Sequence, residues 1–134
     1  MNDQERYAQG LQLRREILGD AHVSRSLEQL NDFNADFQDF ITRFAWGEVW
    51  SRPGMTRHSR SLVTIGILLA LGRNDELRMH LRACFDNGVT RDELKELMLH
   101  CALYAGLPAA NTAMHMAEEI LQERADANPQ HPDL

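Results

Sequence analysis

An all-α fold is what this sequence predicts, and three observations predict it. Capping residues precede apolar-periodic segments and glycines follow them, at Gly19, Gly72, Gly88 and Gly106. No segment alternates apolar and polar residues as a half-buried strand does. The composition is that of a globular protein: 134 residues, 43% hydrophobic and 25% charged. A chain of this length can bury roughly two thirds of its unfolded surface around one core. Residues 1–134 are read as a single domain with its core over about 30–124 and a frayed tail from 125 to 134.

The elements follow from local punctuation. Asn2 or Asp3 caps a first helix that runs to about Leu18 and closes at Gly19. Asp20, His22 and Ser24 read as a loop, followed by a short turn from Ser26 to Leu30. Asp32 or Asn34 opens a helix in which Phe33, Phe37, Phe40, Ile41 and Phe44 recur at helical spacing; it fades around Trp46 and Gly47. Pro53-Gly54 marks a loop. Thr56 starts the most hydrophobic helix, Arg57 to Leu71, whose apolar residues go nearly all round, which places it at the centre of the domain. Asn74 caps a helix to about Asn87, ended by Gly88, and Thr90 with Glu93 forms a capping box for a helix to Tyr104. Pro108 suits the first turn of a last helix that reaches about Arg124. Five or six helices result.

Charge and cysteine content exclude several functions. The net charge of −6 argues against a duplex-binding surface, so no nucleic-acid partner is expected. Thirteen of the fourteen basic residues are Arg, the exception being Lys95; the planar fork of Arg suits a small carboxylate ligand, although compositional bias accounts for it equally well. Cys84 and Cys101 are too few and too far apart for a disulfide framework or a zinc site. No metal motif and no phosphate-binding loop occurs, so neither metal nor cofactor is expected. The polar start MNDQERYAQG lacks the apolar stretch of a signal peptide, and the apolar run Ile65 to Leu71 is far short of the ~20 residues a bilayer requires. A cytoplasmic protein with no membrane partner is the expectation.

Three constellations carry chemistry. Arg57 and Arg60 stand three apart in a first helical turn, where free N–H groups and the macrodipole favour an anion; a salt bridge to one of the acids is the equal alternative. Glu76 and His80 stand at i and i+4, so the carboxylate can fix the imidazole tautomer and favour a general acid, although an isolated pair at this spacing is more often structural. His100 and Tyr104 repeat that spacing on the next helix, and His115 reads as a packed residue.

Together these stretches resemble the carboxymuconolactone decarboxylase family. The resemblance is carried by Phe40 to Trp50, by Arg60 to Ile65, by Leu71 through His80 to Arg82, by Asn87 to Glu96, and by His100 with Tyr104 to Ala110. It covers nearly the whole chain. The superfamily also contains thiol peroxidases resembling alkylhydroperoxidase D, with CxxCxxxH on the equivalent helix; here Arg73 and Glu76 stand at the cysteine positions and His80 at the histidine. Thiol–disulfide turnover of that kind is thereby excluded. What the resemblance implies is a helical bundle of the alkylhydroperoxidase D-like type, assembled as a homohexamer (a trimer of dimers). It also implies conversion of a carboxylated lactone to an enol-lactone with loss of carbon dioxide.

That reaction needs no cofactor, because the departing carboxylate sits on the ring carbon γ to the lactone carbonyl, joined to it through a double bond, and the substrate is its own electron sink. The protein must hold the second carboxylate, for which Arg57 and Arg60 are candidates with Arg73 in reserve. His80 oriented by Glu76 is the expected proton donor, and His100 is the alternative. Trp46, Trp50 and Tyr104 are candidates to line and dry the pocket, the tryptophans having ordinary packing as their other reading. The competing functional class is a member without decarboxylase activity, either a thiol-dependent peroxidase-like protein or a binding module.

Overall fold

Asn2 takes the Glu5 N–H on its side chain at 2.8 Å and so starts helix α1, Asp3–Leu18, in the expected place. The computed structural model describes residues 1–129, and within the chain two compact units are distinguished, Met1–Arg57 and the part from His58 on.

In the first unit α1 is followed directly by α2, Asp20–Glu28. This corrects the expected loop and turn. Gly19, at φ +95°, breaks one helix and accepts the Val23 N–H at 3.2 Å to begin the next. Val23 is fully buried, so one packed residue overrides the loop preference of Asp20, Ser24 and Ser26. The side chains of Asn31 and Asn34 brace the following turn, Asn31 Oδ1 accepting from Phe33 N–H at 2.9 Å and Asn34 N–H at 3.0 Å. Helix α3, Ala35–Phe40, then continues as a π-helix over Ile41–Trp50 rather than fading at Gly47. The Thr42 hydroxyl donates to the Gln38 carbonyl at 2.8 Å and the Ser51 hydroxyl to that of Gly47 at 2.8 Å. The π segment packs on α1 so closely that a Cβ on Gly10 would overlap the Thr42 carbonyl oxygen, and one on Gly47 would press on the Arg6 backbone. Leu13, Ile17 and Trp46 form the core of this unit, with Ile41, Ala45 and Trp50 at its edge.

The second unit is built by α4 (Arg57–Leu71) from its second residue on, α5 (Asn74–Cys84), α6 (Arg91–Ala105) and α7 (Leu107–Ala127), which brings the described helices to seven α-helical segments. α5 is capped by Arg73, so Asn74 is its first residue and not its cap. A short 3-10 turn, Phe85–Asn87, ends in left-handed Gly88 at φ +92°, as the sequence punctuation predicts. The Thr90–Glu93 capping box is present, and Pro108 sits in the first turn of α7. α7 runs three residues beyond Arg124, and the part of the expected tail beyond Pro129 lies outside the described residues. Ile65, Leu69, Leu77, Leu81, Leu94, Met98, Met116 and Ile120 form the core. Two parallel rungs, Arg78–Glu119 at 2.8 Å and Arg82–Glu123 at 3.2 Å, tie α5 to α7.

α4 is not buried all round, contrary to expectation. Ser61, Ile65 and Leu69 face the core of this unit, whereas Val63, Ile67 and Leu71 are exposed. A single stripe suffices to pack one helix within the unit, so the remaining apolar face stays open. No helix among the described residues is long and apolar enough to cross a membrane.

Candidate active site

The first unit brings together Arg57 and Trp50. Both line an open cleft of about 460 Å³ with Gln9, Gln12 and Glu16 of α1. Trp50 stacks on Trp46, ring centroids 4.9 Å apart and planes 31° apart. Trp46 itself is 5% exposed and packs with Leu13 and Ile17, so it serves as the floor behind Trp50. Arg57 Nη2 donates to Glu16 Oε2 at 2.6 Å, and Gln12 Nε2 donates to the other carboxylate oxygen at 3.3 Å. The Arg57 hydrogen bond, reinforced by that from Gln12, holds the Glu16 carboxyl below its ordinary range. The salt bridge that the sequence leaves as an alternative is therefore formed, and a ligand carboxylate at Arg57 must displace Glu16 or use the N–H groups it leaves over.

The remaining candidates lie in the second unit. Arg60 is half-buried in the first turn of α4, and Arg73 is an exposed cap. Glu76 is exposed and His80 half-buried one turn further along α5, on the same side of the helix. His100 and Tyr104 stack on α6 with centroids 5.0 Å apart and face a groove of about 1160 Å³ between α4 and α6. Neither Glu76 nor His80 lines that groove. Its walls include Val63, Ile67 and Leu99, and its acidic groups are Asp92, Glu93 and Glu96. Apolar walls with an acidic rim repel a dianionic ligand.

One pair escapes sequence reasoning. His58 Nε2 lies 2.7 Å from Glu93 Oε2 and links the start of α4 to the start of α6. Glu93 Oε1 accepts the Thr90 N–H at 3.0 Å, completing the capping box. The His58 hydrogen bond, followed by the Thr90 N–H, holds the Glu93 carboxyl below its ordinary range. The partners are 35 residues apart, so no local spacing announces them. A clue is the parallel course of α4 and α6, which repeats the offset where Gly66 faces the Cys101 sulfur.

The cysteines are quiet. Cys84 is fully buried, donates to the Leu81 carbonyl at 3.1 Å, and has its thiol pushed up to about 12 by desolvation. Burial also pushes the Cys101 thiol up. Neither is the thiolate that thiol peroxidase chemistry requires.

Residues 35–119 match the sequence profile of the carboxymuconolactone decarboxylase family. The chain belongs to that family. It is 76% identical over 123 residues to a 4-carboxymuconolactone decarboxylase of Acinetobacter baylyi, covering 92% of each chain. It is 36% identical over 120 residues to a nitrosuccinic acid decarboxylase of Metarhizium robertsii, covering 90% of this chain and 84% of the relative. A 48-residue sequence from Pseudomonas putida, also named 4-carboxymuconolactone decarboxylase, matches over its full length at 58% identity. The span matched to the carboxymuconolactone decarboxylase family holds every expected site residue from Trp46 to Tyr104, whereas Gln12 and Glu16 of the cleft lie outside it.

Proposed function

We propose that this chain is a carboxy-lyase that converts 4-carboxymuconolactone to 3-oxoadipate enol-lactone and carbon dioxide in protocatechuate breakdown. The observation that carries this is the 76% identity, over 92% of both chains, to a relative of that name. The nitrosuccinic acid relative supports carbon dioxide loss as the shared step, since a nitro group and an unsaturated lactone can both accept the released electron pair. The family match runs from 35 to 119, across both compact units, and supports treating the chain as one functional domain.

The chemistry asks little of a cofactor, and none is used in this reading. The bond from the ring carbon to the departing carboxylate breaks, and its electron pair flows through the ring double bond onto the lactone carbonyl oxygen as a dienolate. A proton then reaches the carbon next to the carbonyl. His80, kept in one tautomer by Glu76, delivers that proton, with His100 as the competing donor. Arg57 binds the acetate-arm carboxylate in exchange for Glu16, assisted by Arg60 or Arg73, and Trp50 shields it from water. Trp46 backs Trp50, and Tyr104 positions His100.

The protein works in the cytoplasm as a homohexamer, a trimer of dimers. Support for assembly comes from the open face formed by Val63, Ile67, Leu71, Leu99, Leu103 and Tyr104, all exposed in the single chain. The decisive test of activity is incubation with 4-carboxymuconolactone while carbon dioxide and the enol-lactone are measured. Stoichiometric release without added metal or coenzyme is expected; absence of release from folded protein refutes the assignment.

A further inference from the structure

Arg14 on α1 is a buried charge with no carboxylate partner among the described residues. It is 7% exposed, its Nη2 donates to Gln38 Oε1 at 3.2 Å, and its Nη1 reaches Thr42 Oγ1 at 3.5 Å. Its Nε is buried with no acceptor. Among the described residues no carboxylate stands within ion-pair distance of it, whereas Arg6, Arg15, Arg43 and Arg57 of the same unit all have one. A guanidinium does not escape burial by losing its proton, so the charge stays, and neutral amide and hydroxyl partners leave it uncompensated. His22 nearby is held below its ordinary pKa by desolvation, and further by the charges of Arg14 and Arg25.

The guanidinium also borders a recess. A cavity of about 120 Å³ is walled by Tyr7, Arg14, Ser26, Gln38, Asp39 and Thr42 among others. Asp39 is committed elsewhere, its Oδ2 accepting from Arg43 Nε at 2.7 Å. The volume equals the liquid share of about four waters. That admits a planar anion with one water, and it is too small for a lactone bearing two carboxylates. Tyr7 and Ser26 line the same recess, and Arg14 keeps N–H groups beyond the two it gives to Thr42 and Gln38, on a fork that matches two oxygens side by side.

We infer that this recess is a binding site for a small planar oxyanion of the size of bicarbonate or nitrate, with Arg14 as its cationic anchor. The site is independent of the carboxy-lyase reading and shares no residue with it. It joins α1 to α3 and the π segment, so the bound anion supplies the charge that this packing lacks.

The test is thermal unfolding of the full chain in bicarbonate, nitrate or chloride at constant ionic strength, in a sulfonate buffer. The comparison is Gln38→Glu, which sets a carboxylate where an amide now accepts from Arg14. Wild type is expected to gain stability saturably, the folding equilibrium rising about 11-fold at ten times the Kd. Bicarbonate and nitrate should act below the chloride concentration needed for the same gain. Gln38→Glu should unfold later than wild type in the anion-free buffer and show no anion response. Equal responses of both proteins to all salts would overturn the proposal, because general salt effects on folding do not depend on residue 38. Should Gln38→Glu fail to fold, carbon-13 bicarbonate line broadening with wild type decides: saturable broadening relieved by nitrate supports the site, and no broadening refutes it.

Discussion

A proton donor beside a developing carbanion has to be held in place, and His80 and His100 are held differently. His80 is half-buried on a helix pinned to the core by Leu77 and Leu81, whereas His100 leans on Tyr104, which is 78% exposed. His80→Ala is expected to lower kcat by ~10²–10⁴-fold with substrate binding retained, and Glu76→Gln by less, since the imidazole survives. Near-full activity in His80→Ala with collapse in His100→Ala moves the proton to α6. The Cys84→Ala/Cys101→Ala enzyme should turn over within a few-fold of wild type despite lost packing, and native Cys84 should resist a thiol reagent at neutral pH. Rapid labelling of Cys84 in folded protein would contradict its burial. The role given to Glu76 and His80 is a proposal, whereas their placing on one side of α5 is legible in the sequence because i, i+4 spacing is a property of the helix itself. The Arg57–Glu16 and His58–Glu93 pairs are not, because they depend on how separate helices lie side by side.

Helix boundaries were legible wherever a cap or a glycine set them: Asn2, Gly19, Gly88, the Thr90–Glu93 box and Gly106 all mark real ends. α2 was hidden because its only buried residue is Val23, too little apolar pattern to outweigh Asp and Ser. The close crossing of α1 and the π segment was hidden too, since a glycine in a helix reads as a mere weakness. It gives a direct prediction. Gly10→Ala and Gly47→Ala should each cost about 1–3 kcal/mol or more in denaturant unfolding, because the added methyl meets backbone rather than a yielding side chain. A neutral effect would mean the helices stand further apart. Glu16 and Glu93 tie elements together with carboxyls held below their unfolded values. Their contribution is present above the unfolded pKa of about 4.3 and is lost as pH falls through the lower folded value. Urea midpoints measured from pH 7 to pH 3 should drop across that window, with a shallower drop for Glu16→Gln and Glu93→Gln.

For the molecule as a whole, the surface left open is larger than a lone soluble chain needs. Besides the α4 and α6 face, Phe33 in the turn before α3, Phe37 and Phe40 on α3 and Phe44 on the π segment are exposed, Phe33 to 97%. The hydrophobic content of α4 predicts a helix buried all round, yet Val63, Ile67 and Leu71 stay exposed, because periodicity says that a face seeks cover without saying whether its own chain provides it. Light scattering at micromolar concentration should therefore find an assembly, and Ile67→Glu with Leu103→Glu should dissociate it while far-ultraviolet circular dichroism stays helical. A strict monomer in wild type would refute the proposed hexamer.

The π segment makes the length of the chain between residues 41 and 50 a specification in its own right. Such a stretch is an α-helix that has absorbed an additional residue without breaking its ladder. Removing one residue there would let the winding relax to the commoner form, so the helix itself would lose nothing. The rest of the first unit, residues 51–57, would however turn by about 100° about the axis, the angle one residue spans in an α-helix. Trp50 would swing out of the cleft, and Arg57 would no longer meet Glu16. Gly47 aside, where any side chain meets the Arg6 backbone, substitutions that keep the count are tolerable here in a way that a single deletion is not: this stretch counts residues before it reads them.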